Sequence, residues 1–113
     1  MKVNEKFKIF MNLFTMVTII LFTAGIGFWT ALDLARRNAR VILACRDISK
    51  GQEAVEKIQA ETANNNVVVR KLDVSLMKSV REFAEKFIAE ELRLDILVNN
   101  AGMAGRFGRI YLV

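Results

Sequence analysis

Four short apolar runs, at about residues 17–22, 40–45, 67–71 and 95–99, alternate along the chain with stretches whose apolar residues recur every three or four positions. Val41-Ile42-Leu43-Ala44-Cys45 has no polar interruption, as expected of a strand covered on both faces. Val67-Val68-Val69 and Ile96-Leu97-Val98 are shorter runs of the same kind. Between the first two runs, Ala31, Leu34 and Ala35 form one helical stripe. Ala54, Val55 and Ile58 form another, in a helix predicted to start with Ser49 and Gln52 at capping-box spacing. That helix should end near Thr62, where Asn64-Asn65-Asn66 favours a turn. A third helix, with Ser75 as its cap, carries Leu76, Val80, Phe83, Ala84, Phe87 and Ile88 as a wide face predicted to be buried. Arg81, Glu82, Glu85, Lys86 and Glu90 fall on its solvated side.

Strands and helices alternating at these lengths are βαβ units, which build parallel sheets. With right-handed crossovers the expected architecture is α/β: a Rossmann-like parallel sheet, incomplete, with about four strands in the order 3-2-1-4 and helices on both faces. This topology brings the C-terminal strand ends, and hence Gly25 to Gly27, Arg46, Asp73 and Asn100, to one edge. Gly25 and Gly27 bracket Ile26 in a turn, with Trp29 onward as helix. A glycine turn at a helix N-terminus aims free N–H groups and the positive dipole end at one spot, suited to a phosphate. About 20 residues further on, where a dinucleotide's ribose is read, stand Cys45 and Arg46 rather than a carboxylate. An arginine there suits a 2′-phosphate, so the local reading is an NADP-type site.

The N-terminal part admits two readings. Ile9 to Leu32 is a stretch of 24 uncharged residues flanked by Lys2, Lys6 and Lys8 and by Arg36, Arg37 and Arg40, which meets the criterion for a membrane span. The other reading makes Val17 to Phe22 a strand, Gly25-Ile26-Gly27 a turn and the rest a helix. The two exclude each other. The corresponding division is an apolar segment 1–16, a partial dinucleotide-binding domain 17–103 and a tail 104–113, with a membrane anchor at 9–32 as the alternative.

Composition narrows the chemistry. The 113 residues allow one small domain, and 53% apolar content suffices for a core. The net charge of +5 is spread among interspersed acids rather than gathered in a basic stripe, which argues against nucleic-acid binding. The absence of histidine excludes His-based acid–base catalysis and His-ligated metals, and no metal site is expected. The single cysteine, Cys45, excludes an internal disulfide and reads as a buried thiol.

Residues 30–47 (TALDLARRNARVILACRD) behind Gly25-Ile26-Gly27, 71–87 (KLDVSLMKSVREFAEKF) and 94–102 (LDILVNNAG) together resemble the short-chain dehydrogenase/reductases, most closely the retinol dehydrogenase-like branch. The resemblance covers about Gly25 to Met103. It implies that Gly25, Ile26 and Gly27 end the phosphate turn, that Arg46 meets the 2′-phosphate of NADP, preferred over NAD, and that Asp73 and Val74 meet the adenine. It further implies that Asn100, Ala101 and Gly102 line the adenine-ribose side, and that the family chemistry is oxidation or reduction of retinoids or other hydrophobic alcohols and carbonyls. By resemblance the location is the endoplasmic reticulum or another internal membrane, otherwise the cytoplasm.

Several residues depart from the family pattern. Its first phosphate-turn glycine and the preceding threonine fall on Leu21 and Ile20, and Phe28 and Trp29 replace charged or polar residues. Asn38 stands where glycine is usual, a mild change because Asn tolerates the left-handed conformation. The tail after Met103 diverges, and no catalytic Ser or Tyr-x-x-x-Lys pair occurs; Tyr111 lacks a residue four positions on. The expectation is a truncated, nucleotide-binding half without catalytic residues, inactive alone. The alternatives are a membrane-anchored non-enzymatic remnant, or a fragment associating with itself or with a full-length relative.

Overall fold

The structure, a computed structural model, describes residues 16–21, 26–99 and 109–112. They form β1 (Val17–Leu21), α1 (Ile26–Arg36), β2 (Arg40–Cys45), α2 (Ile48–Thr62), β3 (Val67–Lys71), α3 (Met77–Glu90), β4 (Ile96–Asn99) and β5 (Arg109–Leu112). The sheet order is β3-β2-β1-β4-β5. The first four strands are parallel, in the predicted order 3-2-1-4, with Ile19 opposite both Ile42 and Leu97. The fifth was not expected. It lies antiparallel on β4, with Asn99 opposite Arg109 and Ile96 opposite Leu112, so part of the divergent tail belongs to the sheet.

Uninterrupted apolar strands work here because their residues alternate between two cores. Ile20, Val41, Leu43, Val67 and Val98 pack with Ala31, Leu32, Ala35, Ala54, Val55 and Ile58 of α1 and α2. Val17, Ile19, Ile42, Ala44 and Leu72 face the other way, where Phe83 and Phe87 of α3 cover them. At about 25 cal/mol per Å² of apolar surface removed from water, these two layers supply the main driving force for the fold.

The helix ends differ from the sequence reading in three places. Helix α1 begins at Ile26 rather than near Trp29, so Ile26 and Gly27 belong to its first turn. Helix α2 is capped by Asp47, whose side chain accepts from the Lys50 N–H at 3.3 Å, and not by Ser49, which falls inside the first turn. Aspartate is among the strongest N-caps, and it comes first after β2. Ser75 is not the cap of α3: the N-cap position is Leu76, without a side-chain bond, because the Ser75 hydroxyl turns back to Asp73. At the other end of α1, Asn38 adopts φ 62°, as its substitution for glycine allows. The Asn64 amide donates to the Ala35 and Ala39 carbonyls at 3.0 and 2.9 Å, satisfying the exposed helix end.

Helix α3 also corrects an expectation. None of its residues is fully buried. Phe83 and Phe87, stacked at 6.5 Å, face the sheet, whereas Met77, Ile88 and the following Leu92 are 64%, 77% and 72% exposed. A wide apolar stripe needs two neighbours, and among the described elements α3 has the sheet alone. Its C-terminus is tied down by charge. Glu91 accepts from Arg40 and, at 3.3 Å, from Arg70, which also meets Glu90 at 2.7 Å. Arg40 in turn donates to Asn66 at 2.6 Å.

The uncharged run Ile9–Leu32 enters the fold as β1 and the start of α1, with residues 9–15 and 22–25 outside the described part. Among the described residues no helix is long and apolar enough to cross a membrane.

Candidate functional site

From β1 the chain proceeds outward to β2 and β3, then crosses back to place β4 on the other side of β1. The crevice at such a reversal, beyond the C-terminal strand ends, is where open parallel sheets bind ligands. Helix α1 starts there, five residues after the end of β1, and its first turn contains no acidic residue to repel an anion. Gly27 is buried in that turn. Phe28 and Trp29 follow as an edge-to-face pair with centroids 5.4 Å apart, Trp29 remaining 67% exposed.

The loops after β2 and β3 supply polar groups to the same edge. Arg46 is exposed immediately beyond β2. Asp47 fills the N-terminus of α2. Cys45, just inside, is buried and donates to the Asp47 carbonyl at 3.3 Å. Burial, and then the neighbouring Asp47 charge, push its thiol above the ordinary range, so it stays protonated and unreactive near neutral pH.

Beyond β3 the ladder continues for one residue, the Leu72 N–H donating to the Cys45 carbonyl at 2.9 Å. This sets Asp73 beside Arg46. The chain then turns, the Leu76 N–H donating to the Asp73 carbonyl at 3.1 Å, with Val74 57% exposed at the tip. Asp73 Oδ1 accepts from both the N–H and the hydroxyl of Ser75, at 3.0 and 2.6 Å. The Asp73 N–H donates to the Ser79 hydroxyl at 2.8 Å. The bonds from Ser75, with a smaller contribution from the Arg46 and Lys71 charges, hold the Asp73 carboxyl below the usual carboxylate range.

Of the residues singled out from sequence, Ile26, Gly27, Arg46, Asp73 and Val74 thus lie along one sheet edge, and Asn99, the last residue of β4, ends there too. Gly25, Asn100, Ala101 and Gly102 lie outside the described residues. Sequence reasoning missed Ser79. Asp73-x-Ser75 spacing marks a side-chain-stabilised turn, but no local signal announces the Ser79 contact six residues on. A cleft of about 660 Å³ between β3 and α3 is lined by Val69, Lys71, Asp73, Ser79 and Phe83 among others, so it borders the Asp73 end of this edge. Among the described residues no group of three His, Cys, Asp or Glu side chains could hold a metal ion.

A doubly covered parallel sheet with a reversal beside a helix N-terminus defines a dinucleotide-binding α/β fold. The chain belongs to the short-chain dehydrogenase family, whose description "short chain dehydrogenase" matches residues 15–111, a longer stretch than the motifs alone delimit. Mouse (Mus musculus) retinol dehydrogenase 12 is 60% identical over 79 residues, which cover 70% of this chain and 25% of the relative. This chain therefore spans about a quarter of the length of the curated relatives it matches. Among solved structures, menthone neomenthol reductase from Mentha piperita superposes with a TM-score of 0.74 at 35% identity, over 81% of this chain and 33% of that one. A metagenomic short-chain oxidoreductase in complex with NADP gives 0.71 at 32% identity, over 78% and 39%.

Proposed function

We propose that this chain is the NADP(H)-binding part of an oxidoreductase resembling the retinol dehydrogenases, acting on hydrophobic alcohols or carbonyls. The observation that carries this reading is the convergence of the α1 N-terminus, Arg46 and Asp73 on the C-terminal edge of the sheet, at its reversal. The donor set fits the nucleotide. The first turn of α1, free of acids and with buried Gly27, would hold the pyrophosphate. Arg46, a fixed cation, suits a 2′-phosphate, where a carboxylate would have suited the free hydroxyl of NAD. Asp73 and Val74 would meet the adenine, and Gly25 and Asn100 to Gly102 complete the set by resemblance. When bound, the nicotinamide donates or accepts the hydride; the residues described here bind and orient it.

Titration of the 113-residue chain with NADP and NAD tests the reading. Arg46→Ala should cost NADP binding about 1.5–3 kcal/mol, as loss of a hydrogen bond to a charged group does, and leave NAD nearly unchanged. Leu21→Gly should strengthen both nucleotides, because Leu21 ends β1 where the family carries a glycine. Equal losses for the two nucleotides in Arg46→Ala would remove Arg46 from the site.

A further inference from the structure

Strand β3 ends the sheet on one side, and among the described residues no strand pairs with its outer edge. In a parallel ladder each residue directs its N–H and C=O to the same side, and successive residues alternate. The Asn66 C=O and the Leu72 N–H bond to β2, so Val67, Val69 and Lys71 present their backbone groups outward. The Gln59 side chain takes up one of these, donating to the Val67 carbonyl at 3.2 Å. At Val69 and Lys71 the edge is open, and an open strand edge is a template for a further strand. The cleft between β3 and α3 runs beside it. Its Arg70 is engaged by Glu90 and Glu91, and its Asp73 by Ser75. Lys71, Lys78 and Lys86 remain for a ligand, against Glu82, which stands 3.9 Å from Lys78. Lys78, Glu82 and Lys86 follow one another at about one turn along α3, so the two lysines lie about 12 Å apart with Glu82 midway.

We propose that the outer edge of β3 receives an extended acidic segment of a partner protein as an added strand. In such a strand alternate side chains face α3, and residues four apart are separated by about 13 Å. Acids at i and i+4 therefore meet Lys78 and Lys86, while the residue at i+2 stands over Glu82, which rejects an acid there. Backbone pairing at Val69 and Lys71 supplies affinity, and the alternation of charge along α3 supplies the choice of sequence. None of these side chains is assigned to the nucleotide above. A second copy of this chain fits the edge less well. Antiparallel pairing of two β3 strands would set one basic rim against another, in a chain whose net charge is already +5.

The test is fluorescence-anisotropy titration of the full chain with a labelled peptide, Val-Glu-Val-Thr-Val-Glu-Val, whose glutamates are four apart with threonine between them. Lys78→Glu and Lys86→Glu, both at exposed positions, should each weaken binding about fivefold, as loss of a solvated ion pair does at most. A peptide with glutamate in place of the threonine should bind the parent about fivefold more weakly, and Glu82→Gln should remove that difference. Methylation of the peptide nitrogens that face β3 should abolish binding, because it removes the donors to the strand edge. A methylated peptide that binds as well as the unmethylated one would reduce the contact to charge attraction and overturn the added strand. Equal binding of a glutamine-for-glutamate peptide, or no binding of the parent peptide, would overturn the acidic partner. A dimer that sedimentation detects and that excludes the peptide would assign the edge to a second copy and overturn the proposal as well.

Discussion

Replacing Gly51 by alanine sets two physical effects directly against each other. Gly51 is buried in the first half of α2, a position where alanine would normally favour the helix by about 1 kcal/mol. A Cβ built there, however, lies 2.5 Å from Cys45 Sγ and presses still harder on Val69 Cγ2. Neither neighbour yields easily. Cys45 is 5% exposed in the inner strand β2, between β1 and β3, and Val69 is β-branched, with restricted side-chain rotamers. Overpacking of this kind costs roughly 1–3 kcal/mol. A clash with two side chains at once belongs toward the upper end, so the net expectation is destabilisation by about 1–2 kcal/mol after the helix gain. Urea unfolding should show a lower midpoint at unchanged slope, since the surface exposed on unfolding hardly changes. In a Val69→Ala background the penalty should shrink by about 1 kcal/mol, the coupling expected of residues in contact. A Gly51→Ala chain as stable as the parent, or more so, would refute the close approach of α2 to the sheet.

Three further outcomes follow from the packing and charges. Ala63→Gly should stabilise the chain by about 1 kcal/mol in the same unfolding assay, because Ala63 closes α2 at φ 57°, a conformation that costs a Cβ-bearing residue about that much. Glu91→Ala should destabilise by about 3 kcal/mol, since loss of the 6% exposed carboxylate leaves Arg40 without a carboxylate partner and Arg70 with Glu90 alone, whereas Glu82→Ala at the solvated Lys78 pair should change stability by under about 0.5 kcal/mol. The raised Cys45 thiol predicts a pH dependence of definite sign: the folded state holds this proton more tightly than the unfolded state does, so its contribution is complete below the ordinary thiol value of about 8.5 and is lost as pH rises from there through the folded value. Unfolding midpoints measured from pH 7 to 10 should show this decline, and Cys45→Ala should remove it.

Where local pattern and tertiary environment impose the same demand, the fold was legible in the residues. The runs around Ile19, Ile42, Val68 and Leu97 became strands, and their alternation with helices was enough for the order 3-2-1-4. Asn38 was legible for the same reason, because a left-handed helix end is a local property of one residue. What the sequence left open depended on competition between neighbours. Ser49 and Asp47 both suit an N-cap, and the point where β2 releases the chain decided for Asp47. Ser75 could cap α3 or bond Asp73; closing the turn that carries Asp73 away from the strand ladder decided for the second. The stripe on α3 records apolar residues but not whether anything lies over them, and the sheet reaches only the side bearing Phe83 and Phe87. Strand β5 has no periodicity of its own strong enough to announce it, since an edge strand of four residues takes its stability from the partner's unpaired N–H and C=O groups. The meeting of Arg46 with Asp73 is likewise tertiary: 27 positions apart in sequence, they are adjacent because β2 and β3 run parallel in register and end together. Amino-acid order by itself determined which segments would be strand or helix and which residue types stood at their ends, while only the sheet determined which of those ends would meet, because parallel pairing is non-local and no short stretch of sequence encodes its partner.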